Sequence, residues 1–181
     1  MVEPAFKIST ANPEDYVDIV KLMVRVYSEL EGFPKKAEQP SYYHMLANIG
    51  ELTKNPGVEL LMAISSKQNE ISGAVVYFGD MKHYGSGGTA SSQKNAAGFR
   101  LLAVSPDARG LGIGKLLSVE CINKAKSASL GQVIIHSTKA MSIAWKMYEK
   151  LKFVRSKDLD FIQGNLPVYG FRHYISGTEL H

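Results

Sequence analysis

A glycine-rich segment holds the residues whose types and spacing most favour chemistry. An apolar run over residues 101–104 stops at Ser105-Pro106, and one cation and three glycines follow: Arg109, Gly110, Gly112 and Gly114. Because Ser105 precedes a proline, its backbone is held extended, which favours a strand up to this point. Apolar residues then recur at helical spacing from Leu116. The segment therefore predicts a strand, a turn and the start of a helix.

The predicted turn has the properties of an anion-binding site. The first N–H groups of a helix have no intrahelical partner and carry a partial positive charge. Glycines let the backbone approach a ligand closely, and Arg109 and Lys115 add positive charge on either side. A phosphate or pyrophosphate would bind such a turn through backbone groups alone.

Two common phosphate-binding patterns do not fit this turn. A P-loop requires a glycine where Arg109 stands and a hydroxyl residue where Leu116 stands. The dinucleotide fingerprint G-x-G-x-x-G lacks its third glycine, whether it is counted from Gly110 or from Gly112. Nucleotide binding is thus disfavoured, and a tight turn that uses glycine only for packing is the simplest alternative to an anion site.

Two motifs resemble those of the GNAT superfamily of N-acetyltransferases. Arg109-x-x-Gly112-x-Gly114, behind a Leu-Ala-Val-x-Pro strand end, resembles the family's acetyl-CoA motif. Residues 140–153 resemble its second motif, Asn-x-x-Ala-x-x-x-Tyr-Glu-Lys-x-Gly-Phe, and these residues match in register: Ala144, Tyr148, Glu149, Lys150 and Phe153. Met141 replaces the asparagine and Lys152 replaces the glycine, so a hydrogen bond from residue 141 to the cofactor is not expected.

The resemblance implies a function and a set of binding residues. It implies an acetyl-CoA-dependent N-acyltransferase that uses no metal and transfers an acetyl group directly to an amine in a ternary complex. The acetyl-CoA would contact the strand end, the turn and the later helix: Leu102, Ala103, Val104, Arg109, Gly110, Leu111, Gly112, Ile113, Gly114, Lys115, Met141, Ala144 and Tyr148. A bulge at Ala103–Val104 would supply a backbone N–H to the oxyanion in this family.

Two catalytic residues are proposed from the sequence, Tyr148 and His136. Tyr148 stands at the family's position for the acid that protonates the leaving thiolate, since a phenol pKa of about 10 lies near that of a thiol. The alternative role for Tyr148 is structural, as an aromatic ring packed on the apolar face of its helix. Many relatives carry a glutamate base near the position of Gly98, which has no carboxylate here. His136 is therefore the candidate base, and the alternatives are Glu29, Glu31 or a water chain.

The elements that must position these residues predict one α/β domain over residues 1–181. We expect a GNAT-like fold with a mixed, mostly antiparallel sheet flanked by about four helices. Strands are predicted over 6–10, 58–65, 71–78, 101–104, 133–136, from 153 and over 165–174, and helices after Pro13, Pro40, Gly114 and Thr138. The polar stretch 81–95 is predicted to be a mobile or functional loop, or else an insertion without structure.

Composition narrows the partners of the protein. The net charge of +4 is mild and the lysines form no run, so neither nucleic acid nor a membrane is expected as a partner. A single cysteine, Cys121, excludes an internal disulfide and fits a reducing, cytoplasmic location, and no signal peptide is expected. The expected partner is a small-molecule or peptide amine, with a homodimer possible.

Two questions stay open at this stage. A non-catalytic CoA-binding sensor or regulatory module is the alternative function, because the strand before the turn lacks a carboxylate. Arg100 is a charge within an apolar strand. Strand alternation predicts that it faces away from Phe99 and either pairs with a carboxylate or contacts the acceptor.

Overall fold

Eight β-strands and four α-helices are formed by residues 2–175, the part of the chain that the computed structural model describes. Short 3₁₀ turns connect several of them. In chain order the elements are β1 Phe6–Thr10, α1 Tyr16–Glu29, α2 Pro40–Ala47, β2 Val58–Ser65, β3 Ile71–Phe78, β4 Ala96–Val104, α3 Ile113–Ser127, β5 Gln132–Ser137, α4 Ser142–Lys150, β6 Val154–Arg155, β7 Phe161–Gln163 and β8 Leu166–Tyr174.

The strands are arranged in the order β1-β2-β3-β4-β5-β8-β6, and β7 also pairs with β8. The β4–β5 pair is parallel, whereas β1–β2, β5–β8, β6–β8 and β7–β8 are antiparallel. The predicted α/β class with a mixed, mostly antiparallel sheet is therefore confirmed. No helix within residues 2–175 is long and apolar enough to cross a membrane.

Two compact units make up the described chain, and the division crosses β3 and β4. The first unit holds residues 2–76 and 101–118, and the second holds residues 77–100 and 119–175. Each unit has its own buried side chains. The extent of the domain, predicted as residues 1–181, stays a prediction.

In the first unit, α1 begins at Tyr16, and the predicted start at Pro13 is instead a 3₁₀ turn, Pro13–Asp15, that leads into it. The N–H of Asn12 donates to Asp15 Oδ2 at 2.8 Å, which closes one half of a capping box ahead of the helix. The helix buries Ile19, Leu22, Met23 and Tyr27. Val20 and Val24, which also lie on the apolar stripe of the helix, are only half-buried.

The start of α3 packs against β3 at Gly73. An ideal Cβ on Gly73 would lie 2.7 Å from Ile113 Cγ2, 3.1 Å from the Ala103 oxygen and 3.2 Å from Leu117 Cδ1. Ile113 and Leu117 are almost fully buried by this approach. Glycine at position 73 is therefore what allows the helix to begin this close to the strand.

The second unit is built on β5, which lies between β4 and β8. Val133, Ile134 and Ile135 are buried, and the β4–β5 register covers only Ala96↔Gln132 to Gly98↔Ile134. Tyr148 of α4 joins an aromatic cluster with Phe99 and Phe153, at ring-centroid distances of 6.2 and 5.6 Å. This cluster fixes α4 against β4.

Several predicted boundaries differ from the structure. The strand before the turn begins at Ala96 rather than at residue 101, and the short strand β7 was not predicted. The second helix ends at Ala47 and is followed by a 3₁₀ turn, Ile49–Lys54, because Gly50 weakens a helix and sits directly against the Tyr16 ring. Thr138 precedes a 3₁₀ turn, and its hydroxyl caps no helix.

Residues 81–95 form a packed segment rather than an insertion without structure. Two 3₁₀ turns, Met81–His83 and Ala90–Ser92, lie within it. Met81, Tyr84 and Ala90 are buried. The segment is packed because its few apolar residues, Met81, Tyr84 and Ala90, all point inward.

Replacing Gly73 with alanine tests the close approach of α3 to β3. The added Cβ would overlap Ile113 Cγ2, so we expect Gly73→Ala to lower the free energy of unfolding by about 1–3 kcal/mol. Urea denaturation followed by circular dichroism measures this, with Ser9→Ala at an exposed position of β1 as the control. A stability equal to that of the wild type would show that the helix start does not depend on this glycine.

Candidate functional site

The predicted strand–turn–helix is present in the first unit. The Ser105 N–H donates to the Ser72 oxygen at 2.8 Å, which anchors the end of β4 to β3. A 3₁₀ turn, Pro106–Ala108, follows, and the Ala108 N–H donates back to the Ser105 oxygen at 2.9 Å. The helix α3 begins at Ile113, so the turn segment 109–115 consists of the glycine turn, residues 109–112, and the first three residues of the helix.

Gly110 and Gly112 both adopt left-handed backbone conformations, with φ of 81° and 82°. Such angles strain any residue with a side chain. Apart from the adjoining residues of the chain, no heavy atom of residues 2–175 lies within 4 Å of an ideal Cβ built on either glycine. Because nothing packs against these two glycines, the alternative in which the turn uses glycine only for packing is not supported at these positions.

The turn presents positive groups that the described chain leaves open. The N–H groups of residues 113–115 precede the first bond of the helix, from the Leu116 N–H to the Gly112 oxygen at 3.0 Å. Arg109 and Lys115 are exposed, and neither has a carboxylate partner among residues 2–175. Leu111 is 59% exposed at the tip. The donor set therefore fits a pyrophosphate.

The end of β4 offers backbone groups as well. Since Ser105 bonds to β3, strand alternation turns the backbone of Val104 and Leu102 away from β3. The Tyr27 hydroxyl of α1 donates to the Leu102 oxygen at 3.0 Å, which agrees with that orientation. Ala103 has the opposite orientation, because its oxygen faces Gly73. An extended ligand arm would pair with this strand through Leu102 and Val104.

A distortion lies in β4 at Leu101, whose φ is 62°. A left-handed leucine within a strand is strained, and it marks an irregularity of the kind found at β-bulges. Leu101 is only 6% exposed, so packing of its side chain holds the strained backbone. The bulge was predicted at Ala103–Val104, and the left-handed residue stands two positions earlier.

Tyr148 is 6% exposed, and burial raises the pKa of its hydroxyl well above the usual range of a phenol. The hydroxyl therefore stays protonated at neutral pH. Within the described chain it makes no hydrogen bond, which leaves its proton available to a ligand. Its ring packs in the aromatic cluster with Phe99 and Phe153, as the packing alternative predicts, and the role of Tyr148 as an acid stays a prediction.

Two other residues of the second motif lie on the same stretch as Tyr148. Met141 closes a 3₁₀ turn, Lys139–Met141, and is half-buried, as is Ala144 in α4. Neither side chain can donate a strong hydrogen bond. The nearby Thr138 hydroxyl is buried and has no partner among residues 2–175.

Both ring nitrogens of His136 are engaged. Nε2 lies 2.8 Å from the Leu159 oxygen, and because a carbonyl only accepts, Nε2 carries the proton. Nδ1 is then the acceptor, 3.0 Å from the Tyr84 hydroxyl and 3.3 Å from Ser86 Oγ. Burial lowers the pKa of His136, so its ring is neutral at neutral pH.

Tyr84 and Ser86 were not predicted as site residues. Tyr84 is fully buried, and an ideal Cβ on Gly98 would lie 2.8 Å from its ring. The ring thus fills the space beside the position where many GNAT relatives carry a glutamate. The signal in the sequence was Gly98 itself, because a glycine inside a buried strand indicates the close approach of another group.

Arg100 does not have the carboxylate partner that the sequence suggested. Its Nη1 donates to the Tyr84 oxygen at 2.8 Å, and its guanidinium stacks on the Tyr84 ring at 5.5 Å. Phe99 packs on Tyr148 instead, which confirms that Arg100 and Phe99 face opposite ways. Of the rival bases, Glu29 is exposed and lies 3.6 Å from Arg25, and Glu31 is exposed.

The predicted site residues fall into three groups. Leu102, Ala103 and Val104 are continuous with the turn 109–115 in the first unit. Met141, Ala144 and Tyr148 lie together along the start of α4 and the turn before it, in the second unit. His136 belongs to that unit too, but its hydrogen bonds and ring contacts involve the 84–86 and 159–161 segments rather than Tyr148.

Solved structures share this fold. An acetyltransferase of the GNAT family from Staphylococcus aureus Mu50 matches with a TM-score of 0.71 and 19% identity, covering 94% of this chain and 99% of its own. PaiA N-acetyltransferase from Thermoplasma acidophilum, in complex with coenzyme A, has a TM-score of 0.69 and 13% identity over 94% and 100% of the two chains. YncA of Salmonella typhimurium, with its cofactor acetyl-CoA, has a TM-score of 0.67 and 12% identity over 97% of each chain.

Sequence comparison identifies the family. Proteins of curated function include none that matches this sequence significantly. The profile of the Acetyltransferase (GNAT) family, however, matches residues 23–153, which is most of the chain and includes both motifs. On that match, and with the glycine turn and fold described above, this chain belongs to the GNAT family of acetyltransferases.

Proposed function

We propose that the protein is an acetyl-CoA-dependent N-acetyltransferase that moves an acetyl group to the amine of a small molecule or peptide, by direct transfer in a ternary complex. The turn at 109–115 carries the proposal. It combines two left-handed glycines with open space beside them, the unbonded start of a helix and two cations that have no partner within residues 2–175. The CoA and acetyl-CoA recorded with two structural relatives support the same ligand.

The residues that would hold acetyl-CoA follow from the open groups of the chain. The turn, from Arg109 to Lys115, would bind the pyrophosphate through backbone N–H groups and two cations. Leu102 and Val104 would bind the pantetheine arm as an added strand. The resemblance assigns Met141, Ala144 and Tyr148 to the same ligand. When bound, this co-substrate supplies an acetyl thioester.

Tyr148 is proposed as the acid of the reaction. As the acceptor nitrogen bonds to the carbonyl carbon and the C–S bond breaks, Tyr148 would give its hydroxyl proton to the sulfur. Burial raises the pKa of Tyr148, so the hydroxyl is protonated at neutral pH, but it is then a weaker acid than the free phenol whose pKa lies near that of a thiol. The backbone N–H groups near the end of β4 would stabilise the oxyanion.

His136 is proposed as the base that takes the proton of the acceptor amine. Nδ1 is the one ring atom with a lone pair, and it is reached through two hydroxyls, of Tyr84 and Ser86. Ser86 is half-buried and Tyr84 is fully buried, so a proton from an acceptor would arrive by way of Ser86. A water chain remains the alternative without a dedicated base.

A non-catalytic CoA sensor is the second candidate. The observation in its favour is that the Tyr84 ring occupies the space at Gly98, so no carboxylate base stands there. A sensor would bind acetyl-CoA without consuming it in the presence of any amine.

A cytoplasmic location, supported by one buried cysteine, and a homodimer are proposed in addition.

Titration calorimetry with acetyl-CoA tests the turn. We expect micromolar binding by the wild type and a loss of at least tenfold in Gly112→Asp, since the substitution adds strain at positive φ and a negative charge at the anion site. Arg109→Ala should weaken binding and reduce its dependence on salt. Lys126→Ala, which removes an exposed charge elsewhere on α3, is the control. Equal binding by Gly112→Asp would remove the turn from the cofactor site.

Tyr148→Phe tests the acid. We expect kcat with an active amine to fall about 100-fold, while the affinity for acetyl-CoA changes little, because the ring remains and only the proton donor is lost. Steady-state detection of released thiol measures the rate. Tyr174→Phe, at a residue 57% exposed, serves as the control. If Tyr148→Phe retains the wild-type kcat, the residue packs α4 and has no role in proton transfer.

The buried neutral state of His136 predicts a pH dependence of stability. Its pKa is lowered in the folded protein, so between that pKa and the unfolded value near 6.5 the unfolded chain binds more protons. The free energy of unfolding should therefore fall as pH drops through this window, and His136→Gln should flatten the slope. Urea denaturation at a series of pH values measures the slope, and the Cε1 NMR signal gives the pKa directly. A midpoint above 6.5 would contradict the assignment.

A further inference from the structure

The arginines of the second unit differ in what they bind. Arg155 makes two hydrogen bonds to Asp160, at 2.9 and 2.8 Å, and Arg172 makes two to Asp158, at 2.7 and 2.8 Å. Arg100 has no carboxylate within ion-pairing distance among residues 2–175. Asp158 and Asp160, the two neighbours of the His136 contact Leu159, are thus each paired with another arginine. Arg100 is left as a cation without a carboxylate partner among these residues.

The Arg100 guanidinium is nevertheless held in one place. Nη1 donates to the Tyr84 oxygen at 2.8 Å, and the group stacks over the Tyr84 ring at 5.5 Å. Gly85 lies against it with φ of 69°, and an ideal Cβ there would lie 3.4 Å from Nη1. A guanidinium has five N–H donors, and within residues 2–175 only Nη1 of Arg100 is bonded to protein, so a fixed set of donors remains for a ligand.

Among residues 2–175, no carboxylate near Arg100 is left without a cation of its own. His136 is near enough for the cation to lower its pKa, and its ring is neutral. Asp160, which also faces His136, is bound by Arg155 and by the Gly170 N–H at 2.7 Å. Tyr84 and Ser86 contribute neutral hydroxyls. A half-buried cation in such a place favours an anionic ligand, and a planar guanidinium favours a carboxylate.

We propose that Arg100 binds the carboxylate of the acceptor, so that the acceptor is an amino acid or a similar amine with a free carboxylate. The inference rests on the proposed N-acetyltransferase function. Arg100 lies on the face of β4 that the Tyr84 ring covers, and the Tyr84 hydroxyl and Ser86 both contact His136, the proposed base. An acceptor whose carboxylate binds Arg100 would therefore have its amine beside Ser86 and His136.

The chemistry of this contact makes the proposal selective. A carboxylate accepts two parallel N–H bonds from a guanidinium, which fixes the orientation of the acceptor as well as its affinity. An amine that lacks the carboxylate would leave Arg100 unpaired on binding. Such a site rejects the amine that lacks a carboxylate, because the half-buried guanidinium would then have no acceptor for its remaining N–H groups.

Matched acceptor pairs test the proposal. The acids L-phenylalanine, L-tryptophan and L-lysine are compared with phenethylamine, tryptamine and cadaverine, which lack only the carboxylate. Thiol release from acetyl-CoA gives kcat and KM, and calorimetry with CoA present gives binding of the acids. We expect kcat/KM to favour at least one acid over its amine by tenfold or more. Arg100→Gln should raise KM for that acid by at least tenfold and leave KM for the amine nearly unchanged.

Two further variants keep the test independent of folding. Arg100→Lys retains the charge without the planar fork and should recover part of the acid's affinity. Arg25→Gln removes an exposed arginine that lies near Glu29 and Asp107, and it should behave as the wild type. Thermal melting of each variant reports whether it is folded.

The outcomes separate this proposal from the proposed function. If amines without a carboxylate are acetylated as well as the acids, or if Arg100→Gln raises both KM values equally, Arg100 does not bind the acceptor although the protein is an acetyltransferase. If no acid binds at millimolar concentration, the proposal is also overturned. If an acid binds through Arg100 and no acceptor consumes acetyl-CoA, the carboxylate site stands and the enzymatic function fails.

Discussion

The close contact between the start of α3 and β3 at Gly73 is the constraint on which the glycine turn depends. Because Ile113 and Leu117 occupy the space where a side chain of residue 73 would lie, the first turn of α3 is held against the sheet and cannot shift along it. The chain must then pass from Val104 to Ile113 within a short distance. Two left-handed glycines make that path possible, and their open sides leave the first N–H groups of α3 accessible.

The strand β4 uses its backbone and its side chains for different purposes. At its end, the backbone groups of Leu102 and Val104 point away from β3, and the Tyr27 hydroxyl donates a hydrogen bond to the Leu102 oxygen. Nearer its start, Gly98 accepts the Tyr84 ring, and Phe99 and Arg100 face opposite sides. The strained Leu101 lies where the two parts meet. One strand would therefore supply both a hydrogen-bonding edge for the proposed cofactor and side chains around the proposed base.

Charge in the second unit is arranged by pairing. Two arginines bind aspartates in a bidentate manner, the histidine is kept neutral by burial, and a third arginine is held by a carbonyl and a ring. The same physical rule explains all three cases, because a buried or half-buried polar group requires a partner. For Arg155 and Arg172 the partner is a carboxylate of the chain, and for Arg100 it is a carbonyl and a ring.

The sequence by itself determined the family, the α/β class, most strand and helix bounds, and the glycine turn. These features depend on residues that are neighbours in the chain: a proline before a turn, glycines at positive φ and the periodicity of apolar side chains. The GNAT motifs lie in those local patterns, so Arg109, Gly112 and Tyr148 could be selected without a structure. Tertiary structure alone decided that Tyr84 stands at Gly98, that the lone pair of His136 accepts from Tyr84 and Ser86, and that Arg100 pairs with no carboxylate among residues 2–175. The contact of Tyr84 with His136 joins residues 52 positions apart. Contacts across such distances depend on how strands are ordered and how loops pack on them, and no local pattern records that.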